Sequence, residues 1–125
     1  MSKEFGSGKQ GSVELVQNHF VTVSDLETLE GLSARSNEAP VVIFKHSTTC
    51  GISSVAYGEM ARVEGVVALV EVQSAPEVSR EIEVRTGIEH ESPQVIILRN
   101  GKAVWHASHS RIKAAAVEQA ARENA

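Results

Sequence analysis

The only cysteine in the chain, Cys50, follows Ser47-Thr48-Thr49 and precedes Gly51-Ile52-Ser53. A cysteine thiolate is the nucleophile that attacks a disulfide sulfur, so its placement decides whether it reacts. The apolar run Val41-Val42-Ile43-Phe44 before it reads as a buried strand, and the residues after it read as a helix. Such a junction puts Cys50 at the carboxyl end of a strand, where open α/β sheets bind ligands. It also puts Cys50 at the amino end of a helix, where free N–H groups and the helix dipole favour a thiolate over a thiol. Ser53 stands three residues on, giving the pattern Cys-x-x-Ser. A second cysteine there would clear a mixed disulfide within the chain. A serine cannot, although its hydroxyl can donate to a thiolate. The chemistry implied is monothiol: Cys50 takes a group from a disulfide, and an external thiol removes it. The competing reading is that a lone cysteine is a small buried hydrophobe.

A second stretch, His90-Glu91-Ser92-Pro93-Gln94, precedes a strand. A proline at strand entry is a candidate cis bond. Beside the Cys50 loop, a cis Pro93 would offer the Ser92 backbone to an extended disulfide substrate. From sequence alone a trans proline opening a strand is the commoner outcome. Lys45 or His46 would favour the thiolate if either pointed at Cys50. Otherwise Lys45 extends to water from the strand end and His46 packs in the turn. His90, His106 and His109 are irregularly spaced, and no second cysteine joins them, which argues against zinc. Trp105 reads as packing, and Arg80, Glu81, Glu83 and Arg85 as helix-surface charges.

The elements that must position these residues follow from periodicity and punctuation. Phe20 to Val23 reads as a short strand. Ser24-Asp25-Leu26-Glu27 fits a capping box with Ser24 at the N-cap, and Leu26, Leu29 and Leu32 follow at helical spacing. After Cys50, Ile52, Val55, Ala56 and Met60 read as one apolar helix face. Val66 to Val70 is a second buried strand. Pro76 opens a third helix with Val78, Ile82 and Val84 on its apolar side, and Gly87 stops it. Gln94 to Leu98 and Lys102 to His106 form a hairpin around Asn100-Gly101. Ile112 to about Arg122 is a last helix. The order β-α-β-α-β-α-β-β-α predicts an α/β fold with a mixed sheet and helices on both faces.

Length and composition bound the rest. The 125 residues fit one domain, and 42% hydrophobic residues can fill one core. Residues 1–17 are Gly/Ser/Lys-rich and read as a flexible segment, with the domain spanning 18–125. Gly6-Ser7-Gly8-Lys9 has neither the spacing nor the preceding strand of a phosphate-binding loop. A net charge of −4 without a Lys/Arg block argues against nucleic acid as a partner. No apolar run has the length of a membrane span, and no signal-peptide segment opens the chain. A single cysteine precludes an internal disulfide and suits the reducing cytoplasm.

Three stretches carry a family resemblance: Val-Ile-Phe-Lys-His-Ser-Thr-Thr-Cys-Gly-Ile-Ser (42–53), His-Glu-Ser-Pro-Gln (90–94) and Asn-Gly-Lys-Ala-Val-Trp-His-Ala-Ser-His (100–109). From about Phe20 onward the chain resembles the monothiol bacilliredoxins of the thioredoxin superfamily. The resemblance implies a thioredoxin-like fold and a cis Pro93. It implies removal of bacillithiol from protein mixed disulfides, with Cys50 as nucleophile and Ser53 at the place of the missing resolving cysteine. Thr48 and Thr49 would line the thiol pocket, and Gly51, Ile52, Ser92 and Pro93 would position substrate. Expected partners are S-thiolated client proteins and a small thiol as co-substrate, with no tightly bound cofactor and a monomeric chain. One departure is Gly51, where the family pattern has proline. Glycine restores a backbone N–H next to the thiol and loosens the first helical turn by about 1 kcal/mol. Cys-Gly-Ile-Ser also resembles the Cys-Gly-Phe-Ser of monothiol glutaredoxins. That likeness implies a [2Fe-2S] cluster held by Cys50 of two subunits and two small thiols. Against it, Ala107-Ser108-His109-Ser110 stands where those proteins have a glycine-rich segment for glutathione. A redox-inactive binding module with Cys50 buried is the third alternative.

Overall fold

A computed structural model describes residues 19–49 and 51–125. The expectations for residues 1–17 and for the Cys50 side chain fall outside the described residues. The elements are β1 (Phe20–Thr22), α1 (Leu26–Arg35), β2 (Val41–His46), α2 (Gly51–Met60), β3 (Val67–Glu71), α3 (Pro76–Thr86), β4 (Gln94–Arg99), β5 (Lys102–Ser108) and α4 (Ala114–Glu123). A 3-10 turn, His109–Arg111, joins β5 to α4. This is the alternation read from the sequence.

The sheet order is β1-β3-β2-β4-β5. β1, β3 and β2 run parallel, and β4 turns the sheet antiparallel against both β2 and β5. Alternating side chains send each central strand to two cores. Val42 and Phe44 pack with Ala56 and Met60 of α2 and Val117 of α4. Val41 and Ile43 pack with Leu29 and Leu32 of α1 and Val78 and Ile82 of α3. β2 is buried along its whole length, as a strand covered on both faces must be. No described helix is long and apolar enough to cross a membrane.

Several local readings shift. The N-cap of α1 is Asp25, not Ser24. Asp25 is extended, and its Oδ1 accepts from the Thr28 N–H at 2.7 Å. That hydrogen bond holds the carboxyl below its usual range. The buried face of α2 is Ser53, Ala56 and Met60, which puts Ile52 and Val55 on the neighbouring exposed stripe, 52% and 69% accessible. Leu26, Val66 and Val84 are likewise exposed. Leu26 opens α1, Val66 precedes β3, and Val84 lies off the α3 face that buries Val78 and Ile82. The last helix starts at Ala114 because the 3-10 turn precedes it. The Asn100-Gly101 turn joins β4 to β5 with φ of 57° and 75°, the left-handed pair that a two-residue hairpin requires.

Gly87 ends α3 with φ 73°, and its N–H reaches the Glu83 carbonyl. An added Cβ there meets no neighbouring atom within 4 Å, so the cost of a side chain is conformational alone. Gly87→Ala is expected to lower stability by about 1 kcal/mol without changing the urea m-value, measured by equilibrium unfolding.

Candidate functional site

The β2–β4 ladder builds the site. Its register pairs Val41 with Leu98 and ends by pairing Lys45 with Gln94. The exit of β2, which leads into Ser47-Thr48-Thr49 and position 50, therefore lies beside the entry of β4, which carries Pro93. The Ser92–Pro93 peptide is cis, as the family resemblance implied and against the commoner outcome from sequence alone. Pro93 is buried and Ser92 half-buried. The Pro93 carbonyl accepts from the His109 N–H at 3.0 Å, which joins the proline to the turn after β5.

α2 begins at Gly51, the residue that follows Cys50 in the chain. Its first N–H groups have no acceptor within the helix, so this end carries the donors and the positive dipole end inferred from sequence. A Cβ at Gly51 would meet nothing within 4 Å, so space does not require glycine there. Gly51 and Ile52 are exposed, and Ile52 and Val55 line an open groove of about 250 Å³ with His109, Ser110 and Ile112.

The loop between β2 and α2 is held by side chains. Ser53 is fully buried, and its Oγ accepts from the Ser47 N–H at 3.2 Å. The hydroxyl proton of Ser53 is not used in that bond. Gln73, just past β3, clamps the same loop. Its Nε2 donates to Ser47 Oγ at 2.8 Å and to Thr49 Oγ1 at 3.0 Å, and its Oε1 accepts from the Thr48 N–H at 3.3 Å. Thr48 and Thr49 are exposed beside position 50. Sequence reading missed Gln73. The available signal was a polar residue at the carboxyl end of the strand parallel to β2.

His46 and Lys45 leave opposite faces of β2. His46 packs against Phe44 and Tyr57 with tilted rings, at ring-centre distances of 5.4 Å and 5.1 Å. Burial pushes its pKa down, opposed by the Glu71 charge and the Ser53 backbone, so it is neutral at pH 7. Its Nδ1 is buried without a hydrogen-bond partner among the described residues, as are Ser92 Oγ and Gln94 Oε1. All three orphans sit at the sheet end that carries the site. Lys45 does not extend to water as one reading had it: it is 0% accessible. Its Nζ meets His90 Nδ1 at 3.2 Å, and Ser79 Oγ approaches the same nitrogen at 3.2 Å. Burial lowers the Lys45 pKa to about 8, opposed by the charge of Glu83. Burial, and then the Lys45 charge, push His90 down as well.

The three histidines weighed for zinc separate. His90 joins Lys45, His109 lies 3.5 Å from Glu91, and His106 is exposed on β5. Among the described residues no three of His, Asp and Glu gather as metal ligands. Trp105 packs against the core shared with α2 and α4, as read from sequence.

Solved structures share this architecture. A protein with a thioredoxin fold, proposed to be an oxidoreductase, is 27% identical with a TM-score of 0.77; the alignment covers 87% of this chain and 98% of that one. Mitochondrial thioredoxin 3 from Saccharomyces cerevisiae superposes with a TM-score of 0.65 at 14% identity, over 86% of this chain and 98% of its own. Thioredoxin from Trypanosoma brucei brucei gives 0.66 at 19% identity, over 83% and 88%. These two similarities establish the fold. The family model of the monothiol bacilliredoxin BrxC matches residues 21–117. Three-quarters of the molecule, from β1 into α4, thus carries that pattern, and the chain belongs to the monothiol bacilliredoxin BrxC family of thioredoxin-fold oxidoreductases.

Proposed function

We propose that this protein removes a low-molecular-weight thiol, bacillithiol, from mixed disulfides on client proteins. The observation that carries the reading is the single cysteine with Ser53 at the resolving position, in a chain of this family. The Cys50 thiolate attacks the small-thiol sulfur of the mixed disulfide. The new Cys50–small-thiol disulfide forms as the old bond breaks, and the client thiolate leaves and takes up a proton. A second small-thiol thiolate then attacks the sulfur carried by Cys50. It departs as a symmetric small-thiol disulfide, and Cys50 is again a thiolate. The incoming small thiol is oxidised to the disulfide level as the client sulfur is reduced to a thiolate, so the chain ends each cycle unchanged.

The surroundings support these steps. The dipole and unpaired N–H groups at the start of α2 favour the attacking anion. Thr48, Thr49 and Gly51 flank Cys50 in the chain, and among the described residues no hydrogen bond engages the Ser92 backbone beside Pro93, which in this reading pairs with an extended client segment. Ser53 has two jobs in this reading. It accepts from Ser47 to fix the loop, and its remaining proton is available to the thiolate. The protein acts in a reducing compartment, the cytoplasm, as a monomer.

Cys50→Ala is expected to abolish release of bacillithiol from a thiolated client, followed by mass spectrometry. Retained release would sink the mechanism. Anaerobic iron–sulfur reconstitution is expected to leave a colourless monomer, whereas a coloured dimer would favour cluster carriage instead. Native Cys50 is expected to react with iodoacetamide with a midpoint well below the roughly 8.5 of free cysteine. Ser53→Ala is expected to cost about 1–3 kcal/mol in unfolding free energy by orphaning the Ser47 N–H. The same variant is expected to raise the alkylation midpoint. An unchanged midpoint would confine Ser53 to the scaffold.

A further inference from the structure

We propose that Lys45 is a positioning residue whose buried nitrogen latches the loop carrying Ser92 and Pro93 onto β2, and so sets how well that loop receives substrate. The inference rests on the proposed function for its kinetic consequence but not for the latch itself.

A fully buried lysine is an expensive way to fill a core position. A methionine of similar length would fill it without burying a charge. Among the described residues no carboxylate lies within salt-bridge distance of Lys45 Nζ. The bond it makes runs instead to the ring of His90, on the loop before Pro93. Ser79 of α3 meets the same ring nitrogen. With His90 neutral and its proton on Nε2, the single Nδ1 lone pair accepts from the Lys45 ammonium, with Ser79 Oγ beside it at 3.2 Å. The His90 backbone N–H reaches Glu83 Oε2 at 3.3 Å, and the Glu89 carbonyl accepts from Gln94 Nε2 at 3.0 Å. Gln94 is the cross-strand partner of Lys45. The loop between α3 and β4 is thus tied to the strand pair that presents the site, and among the described residues the Lys45–His90 hydrogen bond is what joins it to β2.

The contact depends on protonation. When His90 gains a proton, Nδ1 becomes a donor, and two cations face each other where one hydrogen bond stood. Like charges at that distance repel, and the latch opens. Glu83 favours charge on both groups and Glu91 favours it on His90, while Arg80 lines the same surface cavity as His90 and Glu83 and opposes it. The latch is therefore closed at neutral pH and opens on the acid side. Loss of the Lys45 proton at higher pH leaves an amine that still donates to Nδ1.

The test uses the full chain and a peptide carrying bacillithiol as a mixed disulfide. Lys45→Met and His90→Ala are each expected to raise KM about tenfold, the equivalent of one lost hydrogen bond, with kcat changed less than twofold. The wild type is expected to show KM rising as pH falls through the His90 titration. His90→Asn keeps an acceptor near Nδ1 but cannot titrate, so its KM is expected to stay near the wild-type value and lose that rise. Amide hydrogen exchange over Ile88–Glu91 is expected to quicken in Lys45→Met and His90→Ala. Wild-type KM, pH profile and exchange in His90→Ala, whose exposed loop position leaves the core intact, would overturn the proposal even if Lys45→Met fails to fold. Absence of turnover in the wild type would sink the functional reading, and the exchange measurement would still decide the latch.

Discussion

The antiparallel pairing of β2 with β4 is the constraint on which the site depends. β2 arrives at its carboxyl end with a loop that leads to Cys50, and β4 begins at the same end with Pro93. Only an antiparallel neighbour puts an entry beside an exit, because parallel strands present the same end to the same side. The register then fixes which residues meet. A slip of one residue would turn Lys45 to the α2 face and His46 to the α3 face. Burial of Val41–Phe44 on both faces makes that slip costly, so the apolar pattern of the strand also secures the polar residues at its end.

Those polar residues divide the work by face. On the α2 side, His46 packs between Phe44 and Tyr57, and Ser53 fixes the backbone of Ser47. On the α3 side, Lys45, His90 and Ser79 meet at His90 Nδ1. At the sheet end between them, Gln73 reaches from the β3 side to hold Thr48 and Thr49. The β2–α2 loop and the loop before Pro93 are thus each tied by hydrogen bonds to neighbouring elements. Such anchoring is what a monothiol site needs. The incoming disulfide must be aligned with one sulfur, and no second cysteine in the chain can rescue a misdirected adduct.

The exposed stripe of α2 belongs to this design. Ile52 and Val55 were read with Ala56 and Met60 as one apolar face, because hydrophobicity alone does not fix the phase of a helix. The phase of the helix, set by Ala56 and Met60 in the core, leaves them outside.

The sequence by itself determined the order of elements, the hairpin at Asn100-Gly101, the stop at Gly87 and the monothiol character of the chain. These follow from local causes: apolar periodicity, residues that tolerate positive φ, and the count of cysteines. Its strand–helix alternation, however, implied parallel pairing up to the hairpin, whereas β4 already runs antiparallel to β2. The N-cap was misread by one residue because Ser24 and Asp25 both suit the position, and only backbone geometry selects the one whose oxygen reaches Thr28. The tertiary structure decided what adjacency in sequence cannot encode. The clamp from Gln73 and the meeting of Lys45 with His90 join segments tens of residues apart, and the cis form of the Ser92–Pro93 bond is a choice its local sequence leaves open. A lysine at a strand end can reach water or turn inward. Which it does depends on whether a distant loop supplies an acceptor, and here His90 does.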